Sequence, residues 1–403
     1  MSEVQVVGGG FSGLSAAYFL MCAGHRVRVV ETAGRVGGLI DTMQTPYGPF
    51  ETAANAMIAN EVVERVAADL GITLTPALKS ARKRFILRDK RLRRWPLRIG
   101  ASLRLAGLAL PLGLGRPSPL APRPRESIRE WGERALGREA TQYLLAPALS
   151  GIYAGDPDEL SASLTVGKFF RPARSRRLAR GKLRGSVAPL TGMGAWAPAF
   201  RRVLELKHCR FEKEALPGLP TLVALPPPAA HQFLAGRAPA LEAELRKIRQ
   251  LPIVSVTVFF PPETAGIPGF GCLFPRAEGF RALGVLANDR VFPGRARDAI
   301  SETWLLGGAL DPEVGKLSDD ELLQLVLGER AKLFGLRPRV LLSRITRWSG
   351  AIPHYDRGLE SALENLKHLH FREGPFRLFG NYLGELGLGS ILARAAELPR
   401  EFP

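Results

Sequence analysis

The first 31 residues carry a strand, a glycine turn, a helix, a second strand and an acid, in that order. Val4 to Val7 reads as a short buried strand. Gly8-Gly9-Gly10-Phe11-Ser12-Gly13 reads as a turn, and Leu14 to Cys22 as an apolar, alanine-rich helix stopped by Gly24. Arg26 to Val30 gives the second strand, and Glu31 stands 18 residues after the last glycine of the turn. This is the Gly-x-Gly-x-x-Gly pattern of a dinucleotide-binding βαβ unit. Gly8 permits the tight turn, Gly10 lets a pyrophosphate approach the backbone, and Gly13 lets helix pack on strand. The helix start offers unpaired N–H groups and the positive end of the dipole. Glu31 is suited to accept hydrogen bonds from a ribose diol.

Composition narrows the rest. Of 403 residues, 46% are apolar and 23% charged, which excludes a disordered chain, a collagen and a small disulfide scaffold. The net charge of +18 is concentrated. Ten basic residues and one acid, Asp89, lie between positions 79 and 98, and seven basic residues with no acid lie between 171 and 184. Two such clusters on a nearly neutral body suit a polyanionic ligand or an anionic membrane surface. The second cluster has no nucleic-acid signature, and no nucleic acid is expected as a partner. Cys22, Cys209 and Cys272 have neither metal-site nor redox spacing, which points to a reducing compartment. With Glu3 at the start of the first strand, no signal peptide is expected. The longest apolar run, Ile99 to Gly115, contains Arg104 and Pro111 and is too short to span a bilayer. The six histidines form no metal pattern, and His368 and His370 alternate with Leu369 as on a strand. No Gly-x-Ser-x-Gly elbow supports a serine hydrolase.

After Glu31 the chain continues Thr32-Ala33-Gly34-Arg35-Val36-Gly37-Gly38. This resembles the extended dinucleotide signature of the flavin amine oxidase and protoporphyrinogen oxidase superfamily, and it shifts the expected cofactor from NAD to FAD. Further stretches resemble protoporphyrinogen oxidases in order along the chain: Phe50-Glu51, Arg84-Phe85, Gly151 to Ser161, Gly192-Met193, Phe292-Pro293-Gly294-Arg295, Ala351 to Tyr355 and Gly380 to Leu388. The resemblance implies an α/β protein with a Rossmann-like FAD-binding domain assembled from both chain ends, a mixed-sheet substrate domain and a helical membrane-facing insertion. The expected layout is FAD-binding at 1–75, substrate and helical region at 76–190, a shortened FAD-binding part at 191–235, substrate domain at 236–345, and FAD-binding again at 346–403.

The resemblance assigns FAD contacts to Gly8, Gly9, Gly10, Phe11, Ser12, Gly13, Glu31, Arg35, Gly38, Leu39, Ala53, Ala54, Leu386, Gly387 and Leu388. It assigns substrate contacts to Arg84, which would pair with a propionate, and to Asn55. It further implies hydride transfer from a porphyrinogen, molecular oxygen as electron acceptor, a peripheral place at the cytoplasmic membrane, and admits a homodimer. No metal is expected. Trp95 to Leu114, with leucines behind the first basic cluster, suits either a bilayer interface or a buried subdomain over the substrate cavity.

Three departures stand out. Ala53-Ala54 replace a Gly-Pro near the expected flavin ring, and Glu385 replaces a glycine in the closing motif, where Gly384 would have to take the turn. Between Leu204 and Leu225 there is room for about two strands, so the middle of the cofactor domain is trimmed. The residues leave open coproporphyrinogen as substrate, another amine oxidase or desaturase, and a non-catalytic tetrapyrrole-binding homologue.

Overall fold

A computed structural model of the chain describes residues 3–113, 120–170, 181–369 and 374–402. Leu114, His370 and residues 171–180 of the second basic cluster lie outside the described residues.

Strand β1 (Glu3–Val7), helix α1 (Phe11–Cys22) and strand β2 (Arg26–Val30) follow the order expected from the glycine pattern. They belong to a five-stranded sheet in the order Arg210–Glu212, β2, β1, Thr221–Val223, Phe376–Leu378. Every pairing in it is parallel. A sheet covered on both faces needs apolar strands, and Val4, Val6, Val27, Val29 and Leu222 are buried accordingly. The fifth strand comes from the far end of the sequence, so distant segments share one platform. The trimmed middle supplies two of the strands, Arg210–Glu212 and Thr221–Val223.

Helix α1 is buried around most of its circumference. A helix apolar on all sides belongs inside a protein, and α1 packs between the helices Trp196–Leu206 and Leu388–Ala395. Phe11 meets the rings of Trp196 and Phe200 edge-on, at 5.9 and 6.0 Å. Burying each such ring stabilises the fold by roughly 1.5–3 kcal/mol. The first helical residue is Phe11, so Phe11, Ser12 and Gly13 form the helix's first turn rather than a loop before it.

The second sheet has seven strands in the order Leu342–Pro353, Gln250–Phe260, Ile300–Gly307, Gly284–Ala287, Gly271–Leu273, Arg84–Arg88, Arg91–Arg93. It is mixed: Gly271–Leu273 runs parallel to Arg84–Arg88, and the other pairs are antiparallel. Helix Asp319–Phe334 covers its core through Leu322, Val326 and Leu327. Ser318 and Glu321 form a capping box at the start of that helix, and Gly335 ends it at φ +77°. The Arg84–Arg93 hairpin turns at Asp89 and Lys90, both at positive φ. The Glu278 carboxylate accepts both of their N–H groups at 3.1 Å, which offsets the cost of a left-handed turn without glycine.

Helices Ile99–Gly113, Ile128–Ala135 and Ala146–Tyr153 follow the Arg84–Arg93 hairpin in sequence and precede strand Arg210–Glu212. Among the described residues no helix is long and apolar enough to cross a membrane.

One local expectation changes. His368 and Leu369 end the helix Arg357–Leu369 and are not on a strand. Leu359, Ala362 and Leu366 bury one face of that helix, a spacing visible only over a window longer than three residues. The C-terminal helix begins at Leu388, with Gly387 as its N-cap.

Candidate active site

At the C-terminal end of β1 the three glycines differ in what surrounds them. A Cβ added at Gly8 would lie 2.6 Å from the Ala224 carbonyl oxygen, and Gly8 has φ +110°. One added at Gly13 would lie 1.8 Å from the Gly8 carbonyl oxygen. At Gly10 the nearest atom is the Gly38 Cα, 3.9 Å away. Gly8 and Gly13 are therefore glycine for packing, whereas Gly10 faces open space. Among the described residues no side chain caps α1, so the N–H groups of its first turn remain available at that space.

The acid at the end of β2 closes the other side. Glu31 accepts the Gly9 N–H and the Ala33 N–H, each at 2.8 Å and each on a different oxygen. Both oxygens retain acceptor capacity for a diol. The Gly37 N–H donates to the Gly9 carbonyl at 2.8 Å, and Arg35 donates to the Gly38 carbonyl at 2.8 Å. The Arg35 to Gly38 stretch is thus laid along the glycine loop. Thr52 donates through its N–H to the Asp41 carbonyl and through its hydroxyl to the Leu39 carbonyl, and its own carbonyl accepts from Trp348 Nε1 at 2.7 Å. The half-buried residues Ala53, Ala54 and Asn55 continue from this anchored point.

The closing motif arrives from the other end of the chain. Asn60 caps the helix Glu61–Asp69 through its side-chain oxygen and donates its amide to the Gly389 carbonyl at 3.1 Å. That bond and the packing on α1 hold the Leu386-Gly387-Leu388 turn. Gly384 takes the turn at φ +97°, and Glu385 is exposed. Nearby, Tyr355 donates to the Asn381 carbonyl at 2.5 Å and lies 4.8 Å from the Tyr153 ring. Burial raises the pKa of both phenols, and the Glu385 charge adds to the effect, so both stay neutral.

These features fit FAD. Gly10 leaves the room that a pyrophosphate needs, the helix start supplies N–H donors, and Glu31 supplies the acceptor for a ribose.

Asn55 also borders a cavity next to this frame. This small cavity of about 20 Å³ is lined by Phe50, Glu51, Asn55, Phe270, Asn288 and Arg295, among others. Arg84 is exposed and stacks over the Phe270 ring, 4.6 Å from its centroid. Phe270, in turn, lines the cavity at Asn55. Glu51 and Arg295 form a buried ion pair, and Glu51 also accepts the Met193 N–H at 3.0 Å and the Thr42 hydroxyl at 2.6 Å. The sequence placed Glu51 and Arg295 in separate motifs, and nothing in either motif announced that they meet. Arg88, one of ten similar charges in its cluster, is buried, pairs with Glu139 and lies over the Tyr143 ring at 4.4 Å. Among the described residues there is no cluster of three or more metal-ligating side chains.

Comparison with known proteins agrees with this arrangement. The model of the flavin containing amine oxidoreductase family matches residues 11–203. Protoporphyrinogen oxidase 2 of Arabidopsis thaliana is 28% identical, the alignment covering 98% of this chain and 93% of that one. Coproporphyrinogen III oxidase of Bacillus subtilis is 24% identical over 91% and 90% of the two chains. A crystal structure from Exiguobacterium sp. 255-15, described as a candidate protoporphyrinogen oxidase, shares the fold, with a TM-score of 0.79, 21% identity and coverage of 99% and 98%. With its glycine loop, its Glu31 acceptor and a closing motif brought from the far end, the chain is similar to the flavin containing amine oxidoreductases over residues 11–203 and to protoporphyrinogen oxidases over nearly its whole length, and these matches support an FAD-dependent oxidase.

Proposed function

We propose that this chain oxidises a porphyrinogen, protoporphyrinogen IX in the first instance, to the porphyrin in tetrapyrrole synthesis. The observation that carries the reading is Phe270, which stacks under Arg84 and lines, together with Asn55, a cavity beside the flavin frame. Bound FAD supplies a hydride acceptor, with molecular oxygen as the final electron acceptor. The protein's part is to bind and orient. Phe270 offers an apolar face to a flat macrocycle. Arg84, stacked on that ring, keeps its N–H edge free for a propionate in a fork-shaped pair. Asn55 supplies an amide at the junction between cofactor and substrate. No acid–base pair is required at the reacting carbon, which agrees with a site framed mainly by backbone and aromatic groups.

Coproporphyrinogen III, with four carboxylates rather than two, is a second reading. Exposed Arg82 and Lys83 beside Arg84 favour it. Rates for both porphyrinogens, measured side by side on the FAD-loaded protein, decide between them. No turnover of either would overturn the proposal.

We also infer peripheral attachment to the cytoplasmic face of a membrane. Trp95, Ile99 and Leu103 are exposed next to exposed Arg91, Arg93, Arg94 and Arg98. Apolar side chains beside cations suit an anionic lipid interface.

A further inference from the structure

Arg295 is 5% exposed, and one end of its guanidinium is committed to Glu51. The other nitrogen, Nη2, is buried and has no hydrogen-bond partner among the described residues. A charged donor left unmatched inside a protein is costly, more so than a neutral one. The cavity that Arg295 lines is also lined by two amides, Asn55 and Asn288. Asn288 spends its Nδ2 on the Ser301 hydroxyl at 3.0 Å and the Thr303 hydroxyl at 2.9 Å, which fixes the side chain and leaves its Oδ1 as an acceptor. Asn55 makes a long internal contact, from Nδ2 to the Ala53 carbonyl at 3.4 Å. The volume of about 20 Å³ suits one water molecule, and the polar groups supply the two to four partners that a buried water needs.

We propose that this cavity is a site for one structural water, which accepts from Arg295 Nη2 and donates to the Asn288 and Asn55 amides. Arg295 is then a positioning residue. Its ion pair with Glu51 ties the Thr42 and Met193 segments together, and its second nitrogen, through the water, sets the orientation of Asn55 toward the substrate. The surroundings hold Arg295 in place independently. The Gly48 turn fits so closely that an added Cβ would lie 2.8 Å from the Arg295 carbonyl oxygen, and the Arg297 N–H donates to the Tyr47 carbonyl at 2.9 Å. The kinetic part of this inference rests on the porphyrinogen reading; the water site does not.

The test is a crystal structure of the FAD-loaded protein at a resolution that shows waters, with Arg295→Lys and Asn55→Ala assayed singly and together. One ordered water should stand within hydrogen-bond distance of Arg295 Nη2 and Asn288. Arg295→Lys keeps a charge for Glu51 but loses the second nitrogen. It should lower kcat/KM about tenfold at unchanged flavin content and melting temperature, and the double variant should be no worse than either single one. Should Arg295→Lys not fold, Asn288→Ser, which leaves the ion pair whole, takes its place with the same expected result. A dry cavity, full activity of the substituted protein, or additive losses would overturn the proposal. Wild-type protein inactive on both porphyrinogens, with the water present, would instead sink the porphyrinogen reading and leave the site standing.

Discussion

The glycine loop and the basic strip from Lys79 to Arg98 treat identical residues in opposite ways. In the loop, backbone atoms decide: Gly8 and Gly13 face carbonyl oxygens at contact distance, and Gly10 faces space. In the strip, side-chain neighbours decide. Arg88 is buried with Glu139 and Tyr143, Arg84 lies on Phe270, and Arg91, Arg93, Arg94 and Arg98 stand in solvent. A motif whose roles follow from backbone geometry can be read residue by residue. A charge run cannot, because the partners that distinguish its members are far away in the chain.

The largest effects should separate the glycines. Gly13→Ala puts a methyl group 1.8 Å from a carbonyl oxygen within the packed βαβ unit, so folded, soluble protein should be lost. Gly10→Val meets no such obstacle, and Gly10 has an ordinary backbone at φ −72°. It should fold with a near-normal thermal melt by circular dichroism yet show no flavin absorbance under excess FAD. A yellow Gly10→Val protein would break the assignment of open space to the pyrophosphate.

The next comparison sits within the strip. Arg88→Met removes a buried guanidinium from the Glu139 carboxylate and the Pro96 carbonyl, and should cost on the order of 2–4 kcal/mol in denaturant unfolding. Arg91→Ala should stay within about 0.5 kcal/mol. Arg88, and then the Arg98 N–H, hold the Glu139 carboxyl below its usual range. A lowered folded pKa means that this contribution is present above the unfolded value, about 4.3, and is lost as pH falls through the folded value. Acid unfolding of Arg88→Met should therefore depend less steeply on pH below about 4 than that of wild type. Equal stabilities for the two variants would mean that the buried pair contributes nothing beyond a surface charge.

This contrast accounts for what the sequence made legible. Strand, glycine turn, helix and acid obey local rules, so β1, α1 and β2 can be read almost to the residue. The joining of Phe376–Leu378 to the same sheet follows from resemblance, because no local rule pairs Thr221–Val223 with a strand about 155 residues further along. The meeting of Glu51 with Arg295 is not legible in the sequence for the same reason: each lies in a motif with no local sign of it, and their contact depends on the Gly48 turn docking against the Arg295 loop. His368 misled because three alternating residues carry too little periodicity to separate a strand from a helix end. Glu385 looked like an obstacle in the closing motif, but a turn displaced by one residue, at Gly384, leaves it exposed.

Smaller than the stability effects is the expected role of Arg84. Arg84→Ala should raise KM for the porphyrinogen at least tenfold, about 1.4 kcal/mol, with flavin content unchanged because Arg84 lies outside the nucleotide motifs. Arg84→Lys should recover part of the loss, since an ammonium lacks the fork geometry and stacks less well on Phe270. Arg91→Ala is the control, a same-charge neighbour with no ring beneath it. If Arg84→Ala and Arg91→Ala shift KM alike, the strip acts as a diffuse field and the distinction between its members fails for substrate binding.

The smallest expected effect concerns the solvent-facing members of the strip. Arg91, Arg93, Arg94 and Arg98 flank exposed Trp95, Ile99 and Leu103. Near an anionic surface each cation contributes about 1 kcal/mol, and the attraction decays over a Debye length of about 8 Å at physiological salt. Vesicles containing anionic lipid should therefore bind the protein more tightly than neutral ones, and added salt should narrow the gap. Arg93→Glu with Arg94→Glu should abolish the preference for anionic lipid while leaving KM intact, since it is Arg84 that stacks on Phe270. Leu103→Glu should weaken binding to both kinds of vesicle, because it removes apolar contact rather than charge. Equal partitioning of the wild type between anionic and neutral vesicles would leave these arginines as ordinary solvated charges. It would also leave Trp95 to Leu103 as an exposed face whose covering must be sought in protein rather than lipid.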